Sequence, residues 1–75
     1  MWLVAMFDLP VDTKEARKRY TQFRKELLKD GFSKMQFSVY IRHCASEENG
    51  EVHVARVERA LPPDGEVRLM AITDK

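Results

Sequence analysis

The chain has 75 residues, room for one small domain with a modest core. Its net charge is +1 and 33% of its residues are charged, so bulk charge does not mark it as a nucleic-acid binder. One cysteine excludes an internal disulfide, no CxxC or His-x-His spacing suggests zinc, and no charged-then-apolar leader is present; we expect a cytoplasmic protein.

The first element is a strand. Trp2-Leu3-Val4-Ala5-Met6-Phe7 is an unbroken apolar run that ends on Asp8, followed at once by Leu9-Pro10. A strand alternates its side chains, so Leu3, Ala5 and Phe7 face one way and Trp2, Val4, Met6 and Asp8 the other. Both faces are apolar, which marks a central strand covered on both sides. Asp8 stands where the strand ends, either as a turn residue before Pro10 or as part of a site.

A helix follows over about residues 13 to 30. Asp12 is placed to cap its free amides and Glu15 to complete a capping box. Ala16, Tyr20, Phe23 and Leu27 recur at helical spacing as one buried stripe. Gly31 suits a left-handed C-terminal cap. Basic residues crowd this helix, with Lys14, Lys18 and Lys25 opposite the stripe and Arg17 and Arg24 beside it. Such a face is either a solvated helix surface or a row of cations that tracks phosphates.

Phe32 to Gln36 and Ser38 to His43 read as two strands, joined by a tight connection or bulge near Gln36-Phe37. Val39, Ile41 and His43 share one face; Ser38, Tyr40 and Arg42 share the other. A second helix starts at a Ser46 cap, with Glu47 and Glu48 at its positive end and Val54, Val57 and Leu61 as its stripe. Gly50 and Asn49 weaken its first turns. Pro62-Pro63 stops it and Asp64-Gly65 turns the chain. The last strand runs from Glu66 to Thr73, with Val67, Leu69 and Ala71 on one side and Met70 and Ile72 on the other.

Strand, helix, strand, strand, helix, strand is the order of an α+β ferredoxin-like βαββαβ sandwich: an antiparallel sheet with two helices on one face. We take the first and third strands as parallel neighbours at its centre. Two helices cover one face only, so the apolar second face of the first strand calls for a homodimer packed sheet against sheet. Residues 1–75 form one such domain.

With the carboxyl ends of the first and third strands side by side, Asp8 would lie near Arg42 and His43. Two copies of Asp8 about a dimer axis would repel unless a cation or proton lay between them. Magnesium suits that place, because it prefers carboxylate and water oxygens and needs only one or two protein carboxylates. His43 is a general acid or base, or simply a satisfied polar residue. Cys44 reads as a buried small residue rather than a nucleophile. His53 is given no role, Tyr20, Phe23 and Phe37 belong to the core, and Ser38 bonds within the sheet or toward a phosphate.

Taken as a set, the apolar strand ending in Asp8, the basic amphipathic helix, Lys25-x-x-Leu28-x-x-Gly31-Phe32 and Gln36-x-Ser38-Val39-Tyr40 resemble the second CRISPR-associated protein family, Cas-two (Cas2), over nearly the whole chain. The resemblance implies a ferredoxin-like homodimer. It implies a magnesium-dependent (Mg2+) endonuclease of RNA or DNA, with Asp8 as the catalytic residue holding metal from both subunits. It also implies the central dimer of the spacer-acquisition complex, which bridges two dimers of the integrase Cas-one (Cas1) and binds duplex DNA. Lys14, Arg17 and Lys18 are then the expected backbone contacts, with Arg42 a further nucleic-acid-binding candidate. The family continues past the fourth strand with a short strand that crosses to the other subunit, beyond the Lys75 at which this sequence stops.

Two other classes share the strand-helix order. An RNA-recognition-type module for single-stranded RNA leaves its sheet open and stacks bases on aromatics of the central strands. Phe37 and Tyr40 are present, but the Lys/Arg-Gly-aromatic signature of the third strand is missing. A small regulatory ligand-binding domain has the same fold, and no ligand-specific residues here support it.

Overall fold

The computed structural model describes residues 1–73. Its elements are β1 (Trp2–Asp8), α1 (Lys14–Lys29), β2 (Ser33–Gln36), β3 (Val39–His43), α2 (Glu47–Arg59) and β4 (Glu66–Ile72). They build one four-stranded sheet in the order β2-β3-β1-β4, with every neighbouring pair antiparallel. This is the expected ferredoxin-like α+β arrangement. The strand that the resemblance adds after the fourth lies outside the described residues.

One expectation is overturned. β1 and β3 are neighbours, but they run antiparallel: Trp2 stands opposite His43 and Met6 opposite Val39. The reason is the parity of the connections. α1 carries the chain back, so β2 runs in the direction of β1. The short reversal after Gln36 then turns β3 the other way.

The alternation of β1 holds residue by residue. Leu3, Ala5 and Phe7 are buried, while Trp2, Val4, Met6 and Asp8 are half-buried or exposed. Phe7 sits at the centre of an aromatic cluster, edge-on to Phe23 at 5.2 Å between ring centroids and stacked on Tyr40 at 5.7 Å. Leu3, Leu27, Phe32 and Val57 complete the core. The opposite face carries Trp2, Val4, Met6, Ile41, Met70 and Ile72. Val4 lies in register between Ile41 and Met70, and Met70 and Ile72 are exposed.

Local signals place the helices, with two corrections. Thr13, not Asp12, caps α1: its hydroxyl accepts the Ala16 amide. Asp12 is one residue too early, so no capping box with Glu15 forms. Ser46 caps α2 as expected, accepting the Asn49 amide. Leu61 does not extend the α2 stripe, because the helix ends at Arg59 and Leu61 is exposed. Gly31, at φ +92°, closes α1 as anticipated. Among the described residues no helix is long and apolar enough to cross a membrane.

Candidate active site

The end of β1 is where chemistry concentrates. Leu9, just past Asp8, is buried and anchors the chain, while the Asp8 side chain stays exposed. Across the ladder, Asp8 pairs in register with Glu66, the first residue of β4. Both residues occupy the face of Met6 and Met70, so two carboxylates stand side by side at one corner of the sheet. Arg68, two residues along, donates to Glu66 Oε2 at 3.4 Å.

The β2–β3 connection closes the other flank. The Phe7 amide donates to the Ser38 carbonyl at 3.1 Å, and the Ser38 hydroxyl lies 3.0 Å from the Tyr20 hydroxyl. Ser38 takes φ +62°, a left-handed conformation that few non-glycine residues adopt. Its hydroxyl therefore bonds toward α1 and not along the sheet. A concavity of about 260 Å³ results, lined by Met6, Asp8, Phe37, Ser38, Glu66 and Arg68, among others.

Among the described residues no group of three or more His, Cys, Asp or Glu side chains could hold a metal ion. Asp8 and Glu66 supply two hard oxygen donors from one chain. That set suits magnesium, which keeps several waters and uses one or two carboxylates, and does not suit a four-ligand zinc site.

Arg42 and His43 are not beside Asp8. The antiparallel register sends them to the far end of β1, where His43 meets the Trp2 ring edge-on at 4.9 Å. The Arg42 guanidinium donates to the Asp30 carbonyl at 2.7 Å and to the His43 carbonyl at 2.6 Å. It braces the C-terminus of α1. Lys14, Arg17 and Lys18 are all exposed on α1, and Arg17 donates to the Val11 carbonyl at 3.1 Å. Cys44 is wholly buried, as its composition suggested. Phe37 was expected in the core; it is exposed at the tip of the β2–β3 connection.

Two features escaped the sequence reading. Glu66 becomes Asp8's neighbour only through the β1–β4 register, and its position at the start of the last strand was the available clue. The other is an ionic cluster: His53 Nδ1 donates to one Asp30 carboxylate oxygen and Arg56 to the other, each at 2.8 Å. Burial pushes the Asp30 carboxyl up, but the Arg56 and His53 hydrogen bonds and charges outweigh it, so its pKa lies below the ordinary value. The spacing of His53 and Arg56, one turn apart on α2, was the available sign. A groove of about 580 Å³ between the helices includes Asp30 and Arg56. It is larger than the Asp8 concavity, but these two groups already satisfy each other, so the smaller hollow is the better candidate.

An antiparallel ferredoxin-like sheet, with helices on one side and a carboxylate pair at the end of its central strand, defines a small α+β domain with one open face. The chain belongs to the CRISPR associated protein Cas2 family, whose model matches residues 1–75. Three curated relatives are each called CRISPR-associated endoribonuclease Cas2. The Parvibaculum lavamentivorans protein is 64% identical over 74 residues, covering 99% of this chain and 73% of its own length. The Flavobacterium psychrophilum protein is 53% identical over 75 residues, 100% of this chain and 65% of its own length. The Paracidovorax avenae protein is 51% identical, with 100% and 69% covered.

Proposed function

We propose that this chain acts in CRISPR defence as one half of a homodimeric, magnesium-dependent endoribonuclease whose reacting phosphodiester sits at Asp8. The observation that carries the reading is the exposed Asp8 standing in register with Glu66 beside Arg68. Bound there, magnesium would supply neutralisation of phosphate charge. Asp8 and Glu66 would hold it. The Arg68 guanidinium would attract the phosphate and leave Glu66 as the strand approaches. The relatives' shared name supports RNA as the substrate.

A second copy lying on the open face would cover Met70 and Ile72 and bring a second Asp8 toward the first. Three or more carboxylates would then be at hand to hold one cation, where a single chain offers two.

The test is cleavage of single-stranded RNA with magnesium. Asp8→Asn should abolish it and Glu66→Gln should weaken it, with the fold kept by circular dichroism. Equal cleavage by wild type and Asp8→Asn would overturn the assignment.

A second reading rests on a separate observation, the exposed row of Lys14, Arg17 and Lys18. These cations support a duplex-DNA scaffold that works with the Cas1 integrase in spacer acquisition. Reversing them to Glu should lower duplex affinity and flatten its salt dependence, while Asp8→Asn should not. Unchanged duplex affinity in the reversed variant would remove this surface.

A further inference from the structure

Phe37 is 78% exposed, the highest value among the large apolar side chains of the described residues, although the Gln36-Phe37-Ser38 stretch is otherwise tightly held. The ring is not loose. Ser38 fixes the tip through its left-handed backbone, its carbonyl bond to Phe7 and its hydroxyl contact with Tyr20. The Tyr20 ring backs Phe37 at 6.4 Å between centroids and 27° between planes. The Lys34 ammonium, on a flexible side chain, lies over the ring face at 5.5 Å from its centre, and an incoming base would take its place there. Several interactions thus hold an apolar ring in water at the rim of the hollow that contains Asp8.

We infer that Phe37 is a stacking platform for an unpaired nucleobase of single-stranded RNA, seating the strand so that a neighbouring phosphate reaches Asp8. The role in cleavage rests on the nuclease reading above. The chemistry fits: an aromatic ring at the surface accepts any base, and the Lys34 ammonium, displaced from the ring by that base, answers the backbone charge. A paired base is already stacked within its duplex, so the platform selects single strands. Tyr40, the other aromatic that could serve, is only 2% exposed and lies beneath the sheet. The Tyr20 ring of α1 backs Phe37 from the helix side, while the hollow it rims also holds Met6 and Arg68 of the open face.

The experiment uses a single-stranded RNA carrying one 2-aminopurine, titrated without divalent metal so that nothing is cut. Wild type should quench the fluorophore on binding. Phe37→Ala should bind about tenfold more weakly, as expected for loss of one base–aromatic stack, and lose the quench. Phe37→Trp should restore both, and the duplex form of the same oligonucleotide should bind the Phe37 variants alike. Unaltered quenching and affinity in Phe37→Ala overturn the proposal. So does a Phe37→Ala protein whose mass in solution changes, since the ring then belongs to a protein interface. Asp8→Asn, titrated in the same way and then given magnesium to start cleavage, separates the two ideas. If it binds and quenches normally but no longer cuts, both stand. If it cuts like wild type, the nuclease reading falls, and the fluorescence result alone decides for or against Phe37 as an RNA-binding residue.

Discussion

At Gly65 the backbone takes φ +90°, and a Cβ there would come 2.7 Å from the Asp8 carbonyl oxygen. Neither problem relaxes easily, because the obstacle is main chain and the left-handed region is costly for residues with a Cβ. Gly65→Ala should therefore destabilise the protein by at least about 2 kcal/mol, adding a left-handed penalty of about 1 kcal/mol to the cost of moving the β4 start. Denaturant melts would measure it. Because the clash falls on Asp8, the proposed nuclease reading expects the same variant to lose RNA cleavage while it is still folded. Asp8 itself was legible in the sequence as a strand-end carboxylate. What it faces was not, because register across β1 and β4 is set by packing of Leu3, Ala5 and Phe7 against α1 and not by any local signal near Asp8. Phe37 misled for a related reason. Hydrophobicity says that an aromatic gains from burial, but the backbone angle at Ser38 aims it outward.

The elements were readable wherever capping and periodicity are local. Ser46, Gly31 and the Phe23–Leu27 stripe announced their helix ends and faces. The direction of β3 was not, since it depends on counting reversals through α1 and the β2–β3 tip. That single error moved Arg42 and His43 from the site to the other end of the sheet. There Arg42 joins a different device, the clasp that fastens α1 to α2 and β3, while the His43 ring packs on Trp2. Asp30 is its hub, bonded through its carboxylate to His53 and Arg56 and through its carbonyl to Arg42. Its side chain is mostly buried while Arg56 is half in water, so the hydrogen bonds outweigh the screened ion pair. Asp30→Asn should cost about 2 kcal/mol near neutral pH. The sign with pH follows from the lowered pKa of Asp30. The carboxylate's contribution is complete above the ordinary carboxylate pKa and is lost as pH falls through the lower folded value. Melts of wild type and Asp30→Asn should thus converge on acidification, and a gap that widened in acid would refute the clasp.

At the scale of the whole molecule, seventy-odd residues with helices on one side leave a sheet face that a monomer can shield only in part. Val4, Ile41 and Met70 form a continuous apolar line across three strands. If a second copy covers it, Met70→Glu should shift the mass measured by sedimentation from dimer to monomer and leave far-ultraviolet dichroism unchanged. A dimeric Met70→Glu protein would send the search for the contact elsewhere. Cys44 offers an independent view of the same question. It is the sequence's one thiol, and no solvent reaches it in the folded chain. A thiol-specific dye can therefore label the protein only when the interior opens, which makes the labelling rate a built-in clock for unfolding. Dilution should leave that clock unchanged if a lone subunit keeps its shape, and should quicken it if each copy relies on its twin to stay closed.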